Sequence, residues 1–168
     1  QQENIRKVNT LLERTEWLIS TLLKTARLES GTVQFSDESI LIEALVNDIL
    51  EPLEILMDVK DISLSCDIKN NASFIGDRLW STEALGNILK NCIEHCPNGG
   101  KLEIFATENP LYTEVIISDN GPGFDEKDIP HLFDRFYRGS NSAKESAGIG
   151  LNLSRMIISK QNGVITAD

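Results

Sequence analysis

The chain has 168 residues, 40% of them apolar and 25% charged, enough for one core of ordinary size plus a short appended element. Acidic residues outnumber basic ones 26 to 16, and the net charge of −10, with no long basic run, disfavours nucleic-acid backbones and anionic membrane surfaces as partners. Three cysteines without metal-ligand spacing suit a reducing compartment, and no apolar run reaches the roughly 18 residues of a membrane span, so a cytoplasmic location is expected, with any membrane anchor outside this segment.

Residues 1–30 hold five basic and four acidic side chains, a net of +1, so the remainder carries −11 and a boundary is expected near Gly31. Within this stretch Ile5, Val8, Leu12, Thr15, Ile19, Leu22 and Ala26 recur at steps of three and four. That is the heptad spacing of a helix burying a seam in a bundle, here ended by Gly31 as a C-cap. Residues 32–35 then read as a short strand. Residues 39–58 read as a helix from the spacing of Ile42, Leu45, Val46, Ile49, Leu53 and Leu56, interrupted by Pro52. Residues 62–68 alternate apolar and polar like a strand, and 72–75 are expected to pair with them across an Asn70-Asn71 turn.

Asp77 is placed to cap a helix running to about His95, with Leu79, Leu85, Ile88, Leu89, Cys92 and Ile93 turned inward. Residues 102–107 and 112–118 form a predicted hairpin across Asn109-Pro110. Residues 119–147 are rich in Gly, Asp, Ser and Pro and read as one long loop with a short helical piece near 129–136. A loop of that length inside a compact domain is usually functional. A helix over 149–160 and a strand beginning at 164–166 complete the order. The pattern predicts an α+β domain with helices on one face of a mostly antiparallel sheet.

Four local features carry chemistry. Asn87 and Asn91 stand one turn apart on a helix, where both amides can address one ligand, although a solvated helix face looks the same. Asp119 ends a strand, where its carboxylate can accept a hydrogen bond from an amino-bearing ring, and Gly121 and Gly123 allow the backbone close to that ring; a plain strand-ending turn has the same pattern. Arg135 and Arg138 bracket Phe136 and Tyr137, so the aromatics can anchor the loop while the guanidinium groups reach phosphates, or they are simply surface charges. Gly148 and Gly150 precede a helix and can offer free N–H groups and a positive dipole end to a phosphate, or form an ordinary turn.

Together and in this order, Asn87–Asn91, Asp119–Gly123, the Leu132–Arg138 segment and Gly148–Leu151 resemble the N, G1, F and G2 boxes of the GHKL nucleotide-binding fold in its sensor histidine kinase version. The resemblance covers essentially the whole chain. It implies a two-layer α/β sandwich of the Bergerat type over 32–168, preceded over 1–31 by the second helix of a dimerisation and phosphotransfer bundle. ATP and Mg²⁺ are the implied cofactors. By position, Asn91 resembles the Mg²⁺ ligand with Asn87 beside it, and Asp119 the carboxylate that reads the adenine amino group. Gly121 and Gly123 resemble the glycines flanking the adenine pocket, and Gly148, Gly150 and Leu151 the phosphate-binding segment. Arg138 resembles a lid arginine reaching the γ-phosphate, 124–147 the ATP lid, and His95 an aromatic or His near phosphate or sugar, although it equally suits a helix cap. The implied partners are a second copy, through the bundle helix, and a response regulator receiver domain.

Members of this fold that hydrolyse ATP resemble the chain but carry a glutamate at the position of Asn87, where it activates water. Its absence implies that the γ-phosphate is kept for a protein acceptor. Neither His95 nor His131 has the acidic neighbour of a phosphoacceptor, so the chain as it stands is expected to bind ATP without phosphorylating itself. Glu94 stands where many members carry a lysine, and the last strand of the family's sheet is expected to lie beyond Asp168. A non-catalytic nucleotide-binding module and a GHKL serine kinase are the alternative readings.

Overall fold

In the computed structural model, which describes residues 2–139 and 148–168, helix α1 spans Gln2–Glu29. It ends as its sequence predicts: Gly31 adopts a left-handed conformation (φ +69°) and its N–H donates to the Leu28 carbonyl. Most of the heptad residues do not pack on their own chain, Leu22 being half-buried. Ile5, Val8, Leu12 and Ile19 are all more than half exposed, while a different stripe, Thr21, Thr25 and Leu28, is buried against the rest of the molecule.

Residues 32–35 alternate as expected but pair with no strand. Val33 and Phe35 lie half-buried against α-helical residues, Phe35 meeting Trp80 at a ring separation of 5.8 Å. The strand instead falls at Glu38–Leu41 (β1), and helix α2 begins only at Ile42, running to Leu50. Pro52 does break the helix: a 3-10 turn at Glu51–Leu53 separates α2 from α3 (Glu54–Val59).

Strand β2 (Ser63–Ile68) does not form a hairpin with β3 (Ser73–Gly76). Asn70 and Asn71 both adopt positive φ and turn the chain away, so that β3 pairs antiparallel with β1, Ile40 opposite Phe74. β2 pairs in parallel with β4 (Lys101–Glu108), which pairs antiparallel with β5 (Thr113–Asp119) as the expected hairpin. Two of the three ladders are antiparallel, and the inward residues of β4, Leu102, Ile104 and Ala106, are fully buried beneath the helices.

Helix α4 (Arg78–His95) is the spine of the domain. Asp77 caps it by accepting the Trp80 N–H at 3.0 Å. Leu89 and Ile93 enter one core with α2 and the sheet; Ala84 enters a second with Leu28 of α1 and with Leu153 and Ile157 of α5 (Gly150–Lys160). Leu79 was expected inward but is 84% exposed, because Trp80, Ser81 and Ala84 occupy the face towards α5. The Ser154 hydroxyl bridges the two helices by donating to the Ala84 carbonyl at 2.9 Å. The expected helical piece near 129–136 is a single 3-10 turn, Ile129–His131, and no strand forms at 164–166, where Val164 is exposed.

Candidate nucleotide-binding site

Asn87, Asn91 and His95 lie along one stripe of α4, spaced by four residues, and span about 12 Å of helix. Two segments distant in sequence meet this stripe at its two ends. Near the middle of α4, the position a Cβ on Gly150 would take is 3.8 Å from Asn87 Cγ, so the first residue of α5 sits against the asparagine. Asn87 Nδ2 is buried there without a hydrogen-bond partner. A buried donor left unpaired costs free energy, and an acceptor arriving with a ligand removes that cost.

At the C-terminal end of α4, Asp119 leaves β5 half-buried and its Oδ1 accepts the Gly121 N–H at 2.8 Å. Gly121 is wedged: an added Cβ would stand 2.5 Å from Asp119 Oδ1 and 2.9 Å from the His95 carbonyl oxygen. Gly123 has open space around it but a φ of +69°. Cys92, beside the same carboxylate, has its thiol pushed up to about 12 by burial, by the charge and hydrogen bond of Asp119, and by Cys96.

The loop between these ends is tied at its base. Gly148 (φ +66°) accepts the Phe136 N–H at 2.8 Å, and a side chain on Gly148 would collide with the Tyr137 carbonyl oxygen. Tyr137 Oη donates to Asp128 Oδ1 at 2.7 Å, where Asp128 is only 4% exposed, and Asn152 Nδ2 donates to the Phe133 carbonyl. Arg135 ion-pairs with Glu29 of α1 at 3.1 Å and lies over the Phe136 ring, which directs it to α1. Arg138 is exposed two residues beyond Phe136, and Leu151 is half-buried in the first turn of α5. Part of the expected lid, residues 140–147, lies outside the described residues.

Helix α1 closes over the same region. Trp17 approaches the Gly150 position at 3.7 Å and lies under the Lys90 ammonium at 5.7 Å from the ring centre, and Lys24 pairs with Glu83 at 2.6 Å. Trp17, Asp128 and Asn152 were not singled out from sequence, and Cys92 reads there only as an inward residue of the helix, since each is ordinary in its own segment and acquires a role only through contact. Glu94 is exposed and 3.8 Å from Lys90.

A family model described as histidine kinase-, DNA gyrase B- and HSP90-like ATPase matches residues 76–168, more than half the chain, including Asn87, Asn91, Asp119 and the glycines at 121, 123, 148 and 150. The chain belongs to this ATPase family. Its curated relatives include the sensor protein kinase PmrB of Pseudomonas aeruginosa, 29% identical over 160 residues, covering 95% of this chain and 33% of the relative. The sensor protein SphS of Synechococcus elongatus is 28% identical over 165 residues, 92% of this chain and 40% of the relative. The chain therefore spans between a third and two fifths of the length of these two relatives. Among solved structures, the Acinetobacter baumannii histidine kinase AdeS superposes with a TM-score of 0.77 at 22% identity, covering 92% of this chain and 72% of that one. The mycobacterial sensor histidine kinase MprB gives 0.70 at 24%, covering 79% and 85%. Membership in the family makes residues 76–168 an ATP-binding domain, homologous to the catalytic domains of sensor histidine kinases, and the structural likeness carries the fold across α1, α2 and the two sheets.

Proposed function

We propose that this chain is the catalytic part of a two-component sensor histidine kinase, which binds ATP along α4 and transfers its γ-phosphate to a histidine on a bundle helix outside the segment. The observation that carries the reading is the two-ended contact with α4: Gly150 at Asn87 and Gly121 at His95. A nucleotide lying along the intervening 12 Å or so meets the Asp119 carboxylate with its base and the N–H groups at the start of α5 with its phosphates. The unpaired Asn87 amide faces the same end.

Mg²⁺ suits this donor set. Among the described residues no cluster of three His, Cys, Asp or Glu could cage a metal, whereas Mg²⁺ typically keeps several waters and takes one or two protein oxygens plus substrate phosphates. The Asn91 amide oxygen would hold it, and the ion would neutralise charge on the β- and γ-phosphates. Arg135 and Arg138 would assist from the loop, Arg135 after leaving Glu29. Asn87, in place of a carboxylate, leaves water poorly activated, so the phosphate is kept for a protein acceptor.

The division we propose is 1–31 as the bundle helix and 32–168 as the catalytic domain. The exposed stripe Ile5, Val8, Leu12 and Ile19 supports a homodimer through α1, and a receiver-domain aspartate is the proposed final acceptor. We place the chain on the cytoplasmic side of a membrane-anchored sensor, a location that ATP use suits; no helix among the described residues is long and apolar enough to cross a membrane.

The test is calorimetric titration with ATP, with and without Mg²⁺, beside Asn91→Ala and Asp119→Asn, followed by addition of a separate phosphoacceptor bundle with labelled ATP. Mg²⁺-linked binding, weakened in both variants, and an acid-labile phosphohistidine on the bundle are expected. Binding without transfer would leave a non-catalytic nucleotide module, acid-stable label would indicate a serine kinase, and no binding by folded protein would remove the nucleotide reading altogether.

A further inference from the structure

The register of the β4–β5 hairpin runs from Glu108↔Thr113 to Leu102↔Asp119. The next rung would join Lys101 to Asn120, and it is made in an unusual way. The Asn120 N–H donates to the Lys101 carbonyl at 3.2 Å, but the Lys101 N–H is received by the side-chain oxygen of Asn120, at 2.7 Å, instead of by its main-chain carbonyl. A side-chain amide thus completes the ladder, and the main chain of residue 120 is free to leave the sheet there.

This departure point separates Asp119 from Gly121, the two residues whose hydrogen bond orients the carboxylate. The same Asn120 oxygen lies 3.6 Å from the buried Cys96 thiol, at the C-cap of α4, and 2.9 Å from where a Cβ on Gly100 would stand. Asn120 is therefore fastened both to the start of β4 and to the end of α4, while the residues on either side of it form the base end of the site.

Resting on the nucleotide reading of Asp119 above, we infer that Asn120 is a positioning residue for base recognition: its side-chain oxygen replaces a main-chain acceptor in the last rung of the sheet and so sets the direction in which Asp119 presents its carboxylate. Asn120 itself touches no base. Its loss should act on discrimination between bases more than on the phosphate contacts, which belong to the Asn87 end of the stripe.

The experiment compares ATP and GTP in competition against a fluorescent nucleotide on the 168-residue chain, for wild type, Asn120→Ala and Asn120→Asp, with thermal unfolding of each. The wild type should prefer ATP. Asn120→Ala should lower the ATP-over-GTP preference about fivefold or more, the effect of one misdirected hydrogen bond. Asn120→Asp, which keeps an acceptor at the same place, should retain most of the preference. Should the alanine variant not fold, Asn120→Ser, whose shorter hydroxyl cannot span the rung, provides the same comparison. A preference within twofold of wild type in the alanine or serine variant overturns the inference, as does an aspartate variant that falls as far as alanine. A wild type that fails to prefer ATP overturns something else, the assignment of Asp119 as the base reader.

Discussion

Gly121 and Gly123 belong to one short motif, yet the structure assigns them different reasons for being glycine, and alanine at each should separate them. At Gly121 an added Cβ stands 2.5 Å from Asp119 Oδ1 and 2.9 Å from the His95 carbonyl, so the side chain of Asp119 must swing away and its bond to the Gly121 N–H breaks. A hydrogen bond from the base to a charged carboxylate is worth about 1.5–3 kcal/mol, and at about 1.4 kcal/mol per factor of ten its loss weakens ATP roughly 10- to 150-fold. At Gly123 the Cβ meets nothing, and the cost is the left-handed backbone alone, about 1–2 kcal/mol of stability. Isothermal calorimetry with ATP and urea unfolding of both variants make the comparison. Gly121→Ala should lose mainly affinity and Gly123→Ala mainly stability. If Gly121→Ala bound ATP within threefold of wild type while folded, the proposed contact between Asp119 and the base would be refuted.

The capping carboxylate of Asp77 is opposed by burial, but hydrogen bonds from the Ser36 and Trp80 N–H groups, the Ser36 hydroxyl and the Leu79 N–H outweigh it and hold the group below its ordinary value of 3.8. Because the folded state binds that proton less readily, Asp77 stabilises the protein above pH 4 or so, and this contribution is lost as the pH falls through its lowered value; Asp77→Ala should cost about 1–2 kcal/mol in urea unfolding at pH 7 and progressively less as the pH falls below the ordinary value of 3.8. Lys24 and Glu83 are about a third and a quarter exposed, so a double-mutant cycle should return a coupling of at most about 1 kcal/mol. A disulfide reagent at pH 8 should modify the exposed Cys66 in the native protein, although burial raises its thiol too, and reach Cys92 and Cys96 only on unfolding. Leu12→Asp combined with Ile19→Asp should abolish any concentration-dependent dimer in sedimentation velocity and leave the unfolding midpoint unchanged at concentrations where the wild type is monomeric, since both side chains face solvent within one chain.

Features that depend on neighbours in sequence were legible before the structure. The Asp77 cap, the break at Pro52, the β4–β5 hairpin and the glycines at the start of α5 each depend on a few adjacent residues whose chemistry permits little else. Pairing between distant segments was not legible. Residues 38–41 carry an acidic residue and a serine ahead of apolar positions, which reads as a helix start, and only contact with 73–76 makes them a strand. Asn70 and Asn71 signal a turn correctly, but not which strand the chain turns toward. Leu79 fits an apolar helix stripe and faces solvent, because the small residues Ser81 and Ala84 allow α5 to approach on another side. For the site, motif residues were recognisable one segment at a time. Their convergence on α4, the closure by Trp17 and the role of Asn120 arise from tertiary geometry.

The two tryptophans of the chain occupy contrasting places. Trp17 projects from α1 to the Lys90 ammonium and the first residue of α5, near the middle of α4, whereas Trp80 meets Phe35 in a tilted ring contact at the N-terminal end of α4. The molecule therefore contains two intrinsic emitters, one at the junction of the helix with the nucleotide site and one remote from it. Replacing Trp80 with phenylalanine leaves a single indole whose emission wavelength and quenching follow how α1 is seated as ligand is added, so the long helix can be observed optically without attaching a dye.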